Sequence, residues 1–585
     1  MKIHSILTGI LAILCLAVAV FTGYRMYHLS FWGYYPCWFL FSGWMAIVLI
    51  FKSLKTPNSY SLGLLATTMV SGLILAKGFI YSSPLLFIGF IPLLWVQSKL
   101  EASDTKSKTG LQWWYAFNTF MFWNIGATWW VANAALIPAI IAFLANSLLM
   151  SIPWMGMIHM GRKFPYLKYP ALIVFWISFE WIHQTWDLSW PWLTLGNGLA
   201  FIPRFVQWYD ITGTFGGSLW ILSINILVFL LITSLKYRWL RLGFLIPLMI
   251  VPPIISLHKY EKTVLTGKPV EIGIVQPNYE PHTEKFNIEQ NIQMLKYENL
   301  SRIAITPNTS YLIWPETSFE YIQTDQFETD WRIKHMRDLI GSNPKMCIVS
   351  GLTTLKVFNE GDVLTDAARK NKRAEIPAYY EIQNSAIQLC ESGEIPIYVK
   401  SKLVPGVEIF PYRNLLPFLK PIVEMLHGSV NGLGRQKERA VFEKNGLKIA
   451  PVICYESIYG DYIGDYIRRG AQAIFIMTND GWWDDTPGCR QHLAYGILRA
   501  IEFRRSIARA ANSGISCFVN ARGDISNQTQ YGKDAAITGN ILFSDVSTFY
   551  LRHGDFIAVI ALIITTIFIL IMLWGFLKVH LSKNQ

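Results

Sequence analysis

The feature that most constrains this chain is a succession of apolar runs, each long enough to cross a bilayer, filling the sequence from Met1 to about His258. In lipid a backbone has no water to bond to, so such runs must fold as helices that satisfy their own polar groups. We predict about nine spans, near 4–22, 33–51, 61–80, 82–97, 112–131, 134–158, 168–186, 215–235 and 241–258. A last apolar run covers Phe556 to about Leu577. Between them, residues 268–546 alternate short apolar stretches with polar ones, as a globular domain does. With 52% hydrophobic and only 15% charged residues among 585, the chain is too apolar to be soluble throughout. Three parts emerge: a helical membrane domain (1–258), an extramembrane domain (268–546) and a C-terminal span (556–577).

The net charge of +12 follows the membrane topology. Basic residues gather in alternate short loops: Lys52 and Lys55; Lys99, Lys106 and Lys108; Arg162, Lys163 and Lys168; Lys236, Arg238 and Arg241. Basic loops stay in the cytoplasm, so both termini are expected inside. An odd number of preceding spans then puts the extramembrane domain outside. The first span, after "MKIHS", is expected to remain attached, because no cleavage site followed by a soluble segment is present. The loop "WDLSWPWLTLGN" (186–197) concentrates tryptophans that suit a bilayer interface, and its length suggests an access route for lipid.

The seven cysteines are scattered, with no CxxC and no metal-ligand spacing, so neither a zinc site nor a disulfide framework is expected. There is no glycine-rich phosphate loop and no sign of nucleic-acid binding. No cofactor is expected.

In the extramembrane domain, strands are predicted at 270–278, 311–318, 346–353, 384–389, 395–405, 446–457, 471–483 and 516–524. Helices are predicted around 286–304, 328–340, 458–469 and 489–510. The alternation implies layered α/β architecture, whose sites form where loops leave strand ends. Three reactive groups stand at such ends: Glu316 in "YLIWPETS", Lys400 in "IPIYVKSKLVP" and Cys454 in "APVICYES". A lone cysteine is more often a packed core residue. In company, the three form a nucleophilic set without histidine. A carboxylate takes the thiol proton, and an ammonium steadies the thiolate and then the oxyanion. Lys402 lies two residues from Lys400 and, on a continuous strand, points to the same face.

"IWPETS", "YVKSKLVPGVE" and "ICYES", in this order, resemble the carbon–nitrogen hydrolase, or nitrilase, superfamily. "TNDGWW", "RQHLAYGILRAIEFRRSIARAANSGIS", "WPWLTLGN", Gln207, Asp210 and "TGTFGG" resemble its membrane-bound branch, the apolipoprotein N-acyltransferases. The resemblance implies a polytopic α-helical membrane domain joined to an α/β nitrilase-like αββα sandwich. It implies Glu316 as general base, Cys454 as nucleophile and Lys400, in preference to Lys402, as the catalytic lysine. Glu408 matches the family's second glutamate, and the Tyr455 N–H would complete an oxyanion hole. Glu456 comes next, either orienting the site or capping the next helix. Gly406-Val407, Phe286, Gly481 and Trp483 stand where other residues are usual in this branch.

The implied reaction moves an acyl chain from a phospholipid to Cys454, then to the α-amine of a diacylglyceryl-modified apolipoprotein. The implied location is the bacterial cytoplasmic membrane, with the catalytic domain on the periplasmic side. Two other readings are an anchored amidase or nitrilase using water, for which nine spans are excessive, and a non-enzymatic scaffold, which the intact Glu316, Lys400 and Cys454 oppose. The mixed segment "EIFPYRNLLPFLKPIVEML" (408–426) is expected to be a membrane-facing arm or lid, or else a packed surface helix.

Overall fold

Every expected span corresponds to helical structure in the computed structural model, which describes residues 2–54, 61–103, 108–371, 379–412 and 431–583. In chain order these helices are α1 (Lys2–His28), α2 (Tyr35–Leu54), α3 (Leu62–Ile80), α4 (Ile91–Glu101), α5 (Lys108–Thr128), the short α6 (Val131–Ala134), α7 (Leu136–Lys163), α8 (Lys168–Thr185), α9 (Tyr209–Thr233) and α10 (Arg238–Lys262). Among the described residues, eight spans are long and apolar enough to cross a membrane, the C-terminal one included. Helices α5 and α8 are not among them. Both carry buried polar groups turned into the bundle: Gln112, Asn118 and Asn124 on α5, Glu180 and His183 on α8.

Most of their polar atoms are paired, as hydrocarbon surroundings demand. Asn146 Nδ2 donates to Asn124 Oδ1 at 2.7 Å. The break between α3 and α4, at "YSSP", is closed by Asn225. Its Nδ2 donates to the Leu86 carbonyl at 2.8 Å and its Oδ1 accepts from the Phe90 N–H at 2.9 Å. Glu180, 3% exposed, accepts from Trp176 Nε1, the Leu195 N–H and Ser218 Oγ at 3.0, 2.8 and 2.6 Å. That carboxylate ties the tryptophan-rich loop to the bundle.

The extramembrane domain comprises β1 (Lys268–Gln276), α11 (Gln290–Ala304), β2 (Thr309–Gln323), α12 (Trp331–Gly341), β3 (Cys347–Phe358), β4 (Arg369–Lys370), β5 (Tyr379–Leu389), β6 (Ile397–Val399), β7 (Phe442–Lys444) and β8 (Leu447–Ile453). It continues through α13 (Gly460–Arg468), β9 (Ala473–Thr478), α14 (Pro487–Phe503), β10 (Ser506–Ala511), β11 (Cys517–Val519), β12 (Ile525–Ser526), β13 (Ala535–Phe543) and α15 (Phe549–His553). The C-terminal span is α16 (Phe556–Lys583). One sheet runs β13-β1-β2-β3-β5-β4, with β6 on β5; the other runs β12-β11-β10-β9-β8-β7. Their inner faces meet, and helices cover both outer faces, giving four layers, αββα.

Strand β2 shows why. Successive side chains alternate faces. Tyr311 points inward, against Phe475 of the opposite sheet at 5.4 Å between ring centres. Trp314 points outward, packing on Tyr297 of α11 at 4.7 Å and donating to Ser301 Oγ at 3.0 Å.

Four expectations need correction. The helix expected over 489–510 ends at Phe503, and Ser506–Ala511 form a central strand paired parallel to β9. The Arg504 backbone is left-handed (φ 51°), which turns the chain there. The strand expected at 395–405 is paired only over Ile397–Val399. The series does not close at 516–524, because β13 returns antiparallel to β1. Finally, a disulfide joins Cys347 and Cys390, whose Cα atoms are 4.3 Å apart. Antiparallel pairing of β3 with β5 puts Ile348 opposite Leu389, so the cysteines meet at the next position. Spacing cannot reveal that pair, because strand register creates it.

The domain sits on the bundle through α14 and its exit. Arg504 Nη1 donates to Gln207 Oε1 at 2.6 Å, and its Nη2 bonds the Gln207 carbonyl and Asp210 at 2.8 and 2.9 Å. Tyr550 lies against Gly213, where a Cβ would meet its ring at 2.4 Å. Lys55, Lys106 and residues 413–426 of the expected arm lie outside the described residues.

Candidate active site

Cys454 is the first residue after β8, and its backbone is left-handed (φ 47°). For a side-chain-bearing residue this costs roughly 1–2 kcal/mol. The turn is held by its own carbonyl, which accepts from Ser457 Oγ at 2.8 Å and pairs with His492 Nε2 at 3.1 Å. His492 Nδ1 in turn meets Asp480 at 2.9 Å, and Arg509 binds the other Asp480 oxygen at 2.6 Å. All three side chains are buried. Burial works against ionisation of Asp480, but the Arg509 guanidinium and His492 overcome it and hold the carboxyl well below its usual range.

Glu316 lies inside β2, not past its end. Thr317 is left-handed (φ 50°), and the pairing with β3 shifts register between Trp314 and Phe319, so the strand bulges at the glutamate. Gly351 of β3 makes room: a Cβ there would stand 2.6 Å from the Glu316 Cα. Glu316 Oε1 accepts from Asn384 Nδ2 at 2.8 Å and Lys400 Nζ at 3.1 Å, while Oε2 accepts from the Asn479 N–H at 3.0 Å.

Lys400 is 1% exposed and also bonds Glu408 Oε1 at 2.9 Å. Glu408 further accepts from Asn384 at 3.1 Å and from the Val404 N–H at 2.8 Å. Burial opposes the ammonium, but Glu316 and Glu408 prevail and raise Lys400 well above its ordinary value. Lys402 does not share its face. Strand pairing stops at Val399, the alternation lapses, and Lys402 Nζ reaches the Gln184 carbonyl of α8 at 2.9 Å.

The Cys454 thiol is pushed well up by burial and by the Glu316 carboxylate, with Lys400 opposing. The resting group is therefore a thiol. It must lose its proton as it attacks, and a carboxylate of the same cluster can accept that proton.

Glu456 is fully buried, and its carboxylate reaches beyond the turn that it caps. Its Oε1 accepts from Tyr398 OH at 2.6 Å and from the Ser401 N–H at 2.8 Å, and also from Tyr462 OH. Its Oε2 accepts from the Ile453 N–H at 3.0 Å. One carboxylate thus links the residue before the nucleophile to the residue after the lysine. Glu456→Gln is expected to lose about 1–3 kcal/mol, seen as a lower Tm of the full chain in detergent, together with a reduced kcat.

A cavity of about 80 Å³ opens at Cys454 and Tyr455, lined by Trp483 and Val407 of the catalytic domain and by Trp130, Pro138, Trp190 and Trp192 of the membrane domain. Trp130, Trp192 and Trp483 pack edge to face at 4.6–5.7 Å. Tyr455 OH donates to the Ser189 carbonyl at 2.9 Å. The tryptophan-rich loop therefore forms a wall of the site. Phe286 stacks on Trp482, the neighbour of Trp483 in sequence, at 5.8 Å between ring centres.

The sequence reading missed Asn384, Asn479 and the His492–Asp480–Arg509 chain. "TND" at a strand exit was a signal; nothing marked Asn384 within its strand.

Residues 71–227 match the family model described as apolipoprotein N-acyltransferase N-terminal domain, and residues 271–549 match carbon-nitrogen hydrolase. The chain belongs to the apolipoprotein N-acyltransferases. Relatives of that name agree along most of their length. The one from Chlorobaculum tepidum is 27% identical, covering 84% of this chain and 92% of its own. The one from Geobacter metallireducens is 25% identical, covering 84% and 91%. The one from Rickettsia prowazekii is 26% identical, covering 86% and 96%. As a member of that family the chain is an acyltransferase of the nitrilase superfamily, a helical membrane domain joined to a nitrilase-like domain.

Proposed function

We propose that the chain N-acylates apolipoproteins in two half-reactions at Cys454, with a membrane phospholipid as donor. Sγ attacks an ester carbonyl of the phospholipid while Glu316 takes the thiol proton. Lys400 and the Tyr455 N–H face the oxyanion. The intermediate collapses, the lysophospholipid leaves with the proton from Glu316, and a thioester remains. The α-amine of a diacylglyceryl-cysteine then attacks the thioester and yields a proton to Glu316. The sulfur leaves and regains a proton, and the product is an amide. Glu408 holds Lys400, and Glu456 holds the loops of nucleophile and lysine in register.

The observation that carries this reading is the cavity at Cys454, more than half of whose lining residues come from the membrane domain. An amidase acting on soluble substrates has no use for that wall. The test is mass spectrometry of the purified full chain after mixing with vesicles of one defined phospholipid. The expected result is one acyl chain on Cys454, cleared by a diacylglyceryl-cysteine peptide. Absence of the adduct, or equal clearance by water alone, overturns it.

We assign the membrane domain to 1–258, the catalytic domain to 268–546 and the last span to 556–577, with the catalytic domain periplasmic. Lys168 pairs with Glu101 at 2.6 Å, and Arg162 bonds Thr109 and Gln112, so two basic loops share one end of the bundle. At the other end of α5, Trp130 donates to Gln491 of the catalytic domain at 3.1 Å. Basic loops and catalytic domain therefore lie on opposite sides, which supports this orientation. The Cys347–Cys390 disulfide supports it too, because disulfides persist in oxidising compartments. In protein taken from cells and alkylated before reduction, these two cysteines are expected to stay unlabelled; labelling of both without a reductant contradicts a periplasmic location.

A further inference from the structure

A second cavity, of about 270 Å³, lies where the end of α8 meets the catalytic domain. It is lined by Lys402, Arg435, Lys437 and Arg439, with Ser401 and with Asp187 as its carboxylate. Among the described residues, the ion-pair partner of Asp187 is Arg435, at 3.6 Å. No carboxylate lies within ion-pairing distance of Lys402, Lys437 or Arg439 among the described residues. The cavity thus holds an uncompensated positive charge.

The cations are held in place. Lys402 Nζ bonds the Gln184 carbonyl and sits 4.9 Å from the centre of the Tyr459 ring. Arg439 lies 3.7 Å from the centre of Tyr462 and bonds Ser401 Oγ at 3.0 Å, while its buried Nε has no acceptor among the described residues. Burial and the Arg439 guanidinium push the Lys402 ammonium down to about 8, against Asp187 and Glu456, with Arg435 adding to the repulsion. An anion would relieve that repulsion. The placement selects which anion. Gln184 and Thr185 end a bundle helix, and the apolar Ile182 and Leu188 beside them stay exposed, as at a lipid boundary.

We propose that this cavity binds the phosphate of a membrane phospholipid at the seam between the two domains. Arginine and lysine recognise phosphate through charge-assisted hydrogen bonds, and a lipid head group at the interface brings phosphate to this height. The site stands apart from the Cys454 cavity: Leu403 and Ser189 face it, whereas Val404 and Trp190 face the nucleophile. Through Ser401 and Lys402, whose N–H groups bond Glu456, the bound head group would brace the Lys400 loop.

The test uses the full chain carrying Cys454→Ala, so that turnover does not intervene, in nanodiscs containing a phospholipid with a photoreactive head group. Labelling is expected on the peptides bearing Lys402 and residues 435–439. Phosphatidylglycerol should compete it away and diacylglycerol should not. Lys402→Met and the exposed-residue variant Arg435→Gln/Lys437→Gln should each reduce it about tenfold. Unchanged labelling in both variants, or equal competition by diacylglycerol, overturns the proposal. Competition by inorganic phosphate as strong as by phosphatidylglycerol makes this a free-phosphate site and overturns the lipid assignment.

Discussion

Replacing Cys454 by alanine is expected to abolish both the acyl adduct and N-acyl transfer. No other thiol substitutes for it. Cys489 and Cys517 are buried, their thiols raised by burial to about 12, and neither lines the tryptophan-walled cavity. Without the sulfur the two half-reactions have no shared intermediate, so the loss is complete rather than partial. The fold should survive. Cys454 sits beside a cavity rather than sealed within a core, and its turn is held through its carbonyl, which alanine keeps. The check is parallel measurement of Tm and of thioester formation. A variant with native Tm and residual N-acylation contradicts the mechanism.

Lys400→Met is expected to be nearly as severe, and in two ways. The ammonium joins Glu316 and Glu408, whose Oε1 atoms lie 3.1 and 2.9 Å from Nζ. Removing it leaves two carboxylates facing each other with no cation between them, and breaking a buried ion pair in this way costs about 3–5 kcal/mol. It also removes a charge facing the developing oxyanion, worth about 10²–10³-fold in kcat. The wild-type ammonium is held well above its ordinary value, so its contribution is full at neutral pH and is lost only in strong alkali. The expected result is a lowered Tm and a fall in single-turnover acylation of at least two orders of magnitude. Lys402→Met, by contrast, should leave the Glu316–Glu408 cluster intact. Equal loss of acylation in the two variants would show that the wrong lysine is assigned.

That contrast marks where sequence reading stops. Residues 400 and 402 are equivalent if the strand continues, and alternation said that it did. The last bond to β5 runs from the Lys400 N–H to the Asn384 carbonyl; beyond it the Ser401 and Lys402 N–H groups turn to the Glu456 carboxylate instead, and the strand ends. Glu316 was legible as a reactive acid after an apolar run, but the bulge that aims it depends on Gly351 in the neighbouring strand. Glu456 was ambiguous for the same reason: its partners Tyr398, Ser401 and Tyr462 come from distant loops. The strand at Ser506–Ala511 looked helical because its alanines and arginines favour helix. Burial between β9 and β11 decided otherwise.

By itself the sequence determined the spans, the basic loops, the α/β alternation and the presence of an acid, an amine and a thiol at strand exits. All of these are local: a run length, a charge count or a period of two or 3.6 residues encodes them. Only the tertiary structure decided that Lys402 turns away to the Gln184 carbonyl, that Cys347 and Cys390 pair, and that Trp190 and Trp192 wall the cavity at Cys454. Those outcomes depend on strand register and on loops hundreds of residues apart meeting in space, and no short window of sequence carries that information.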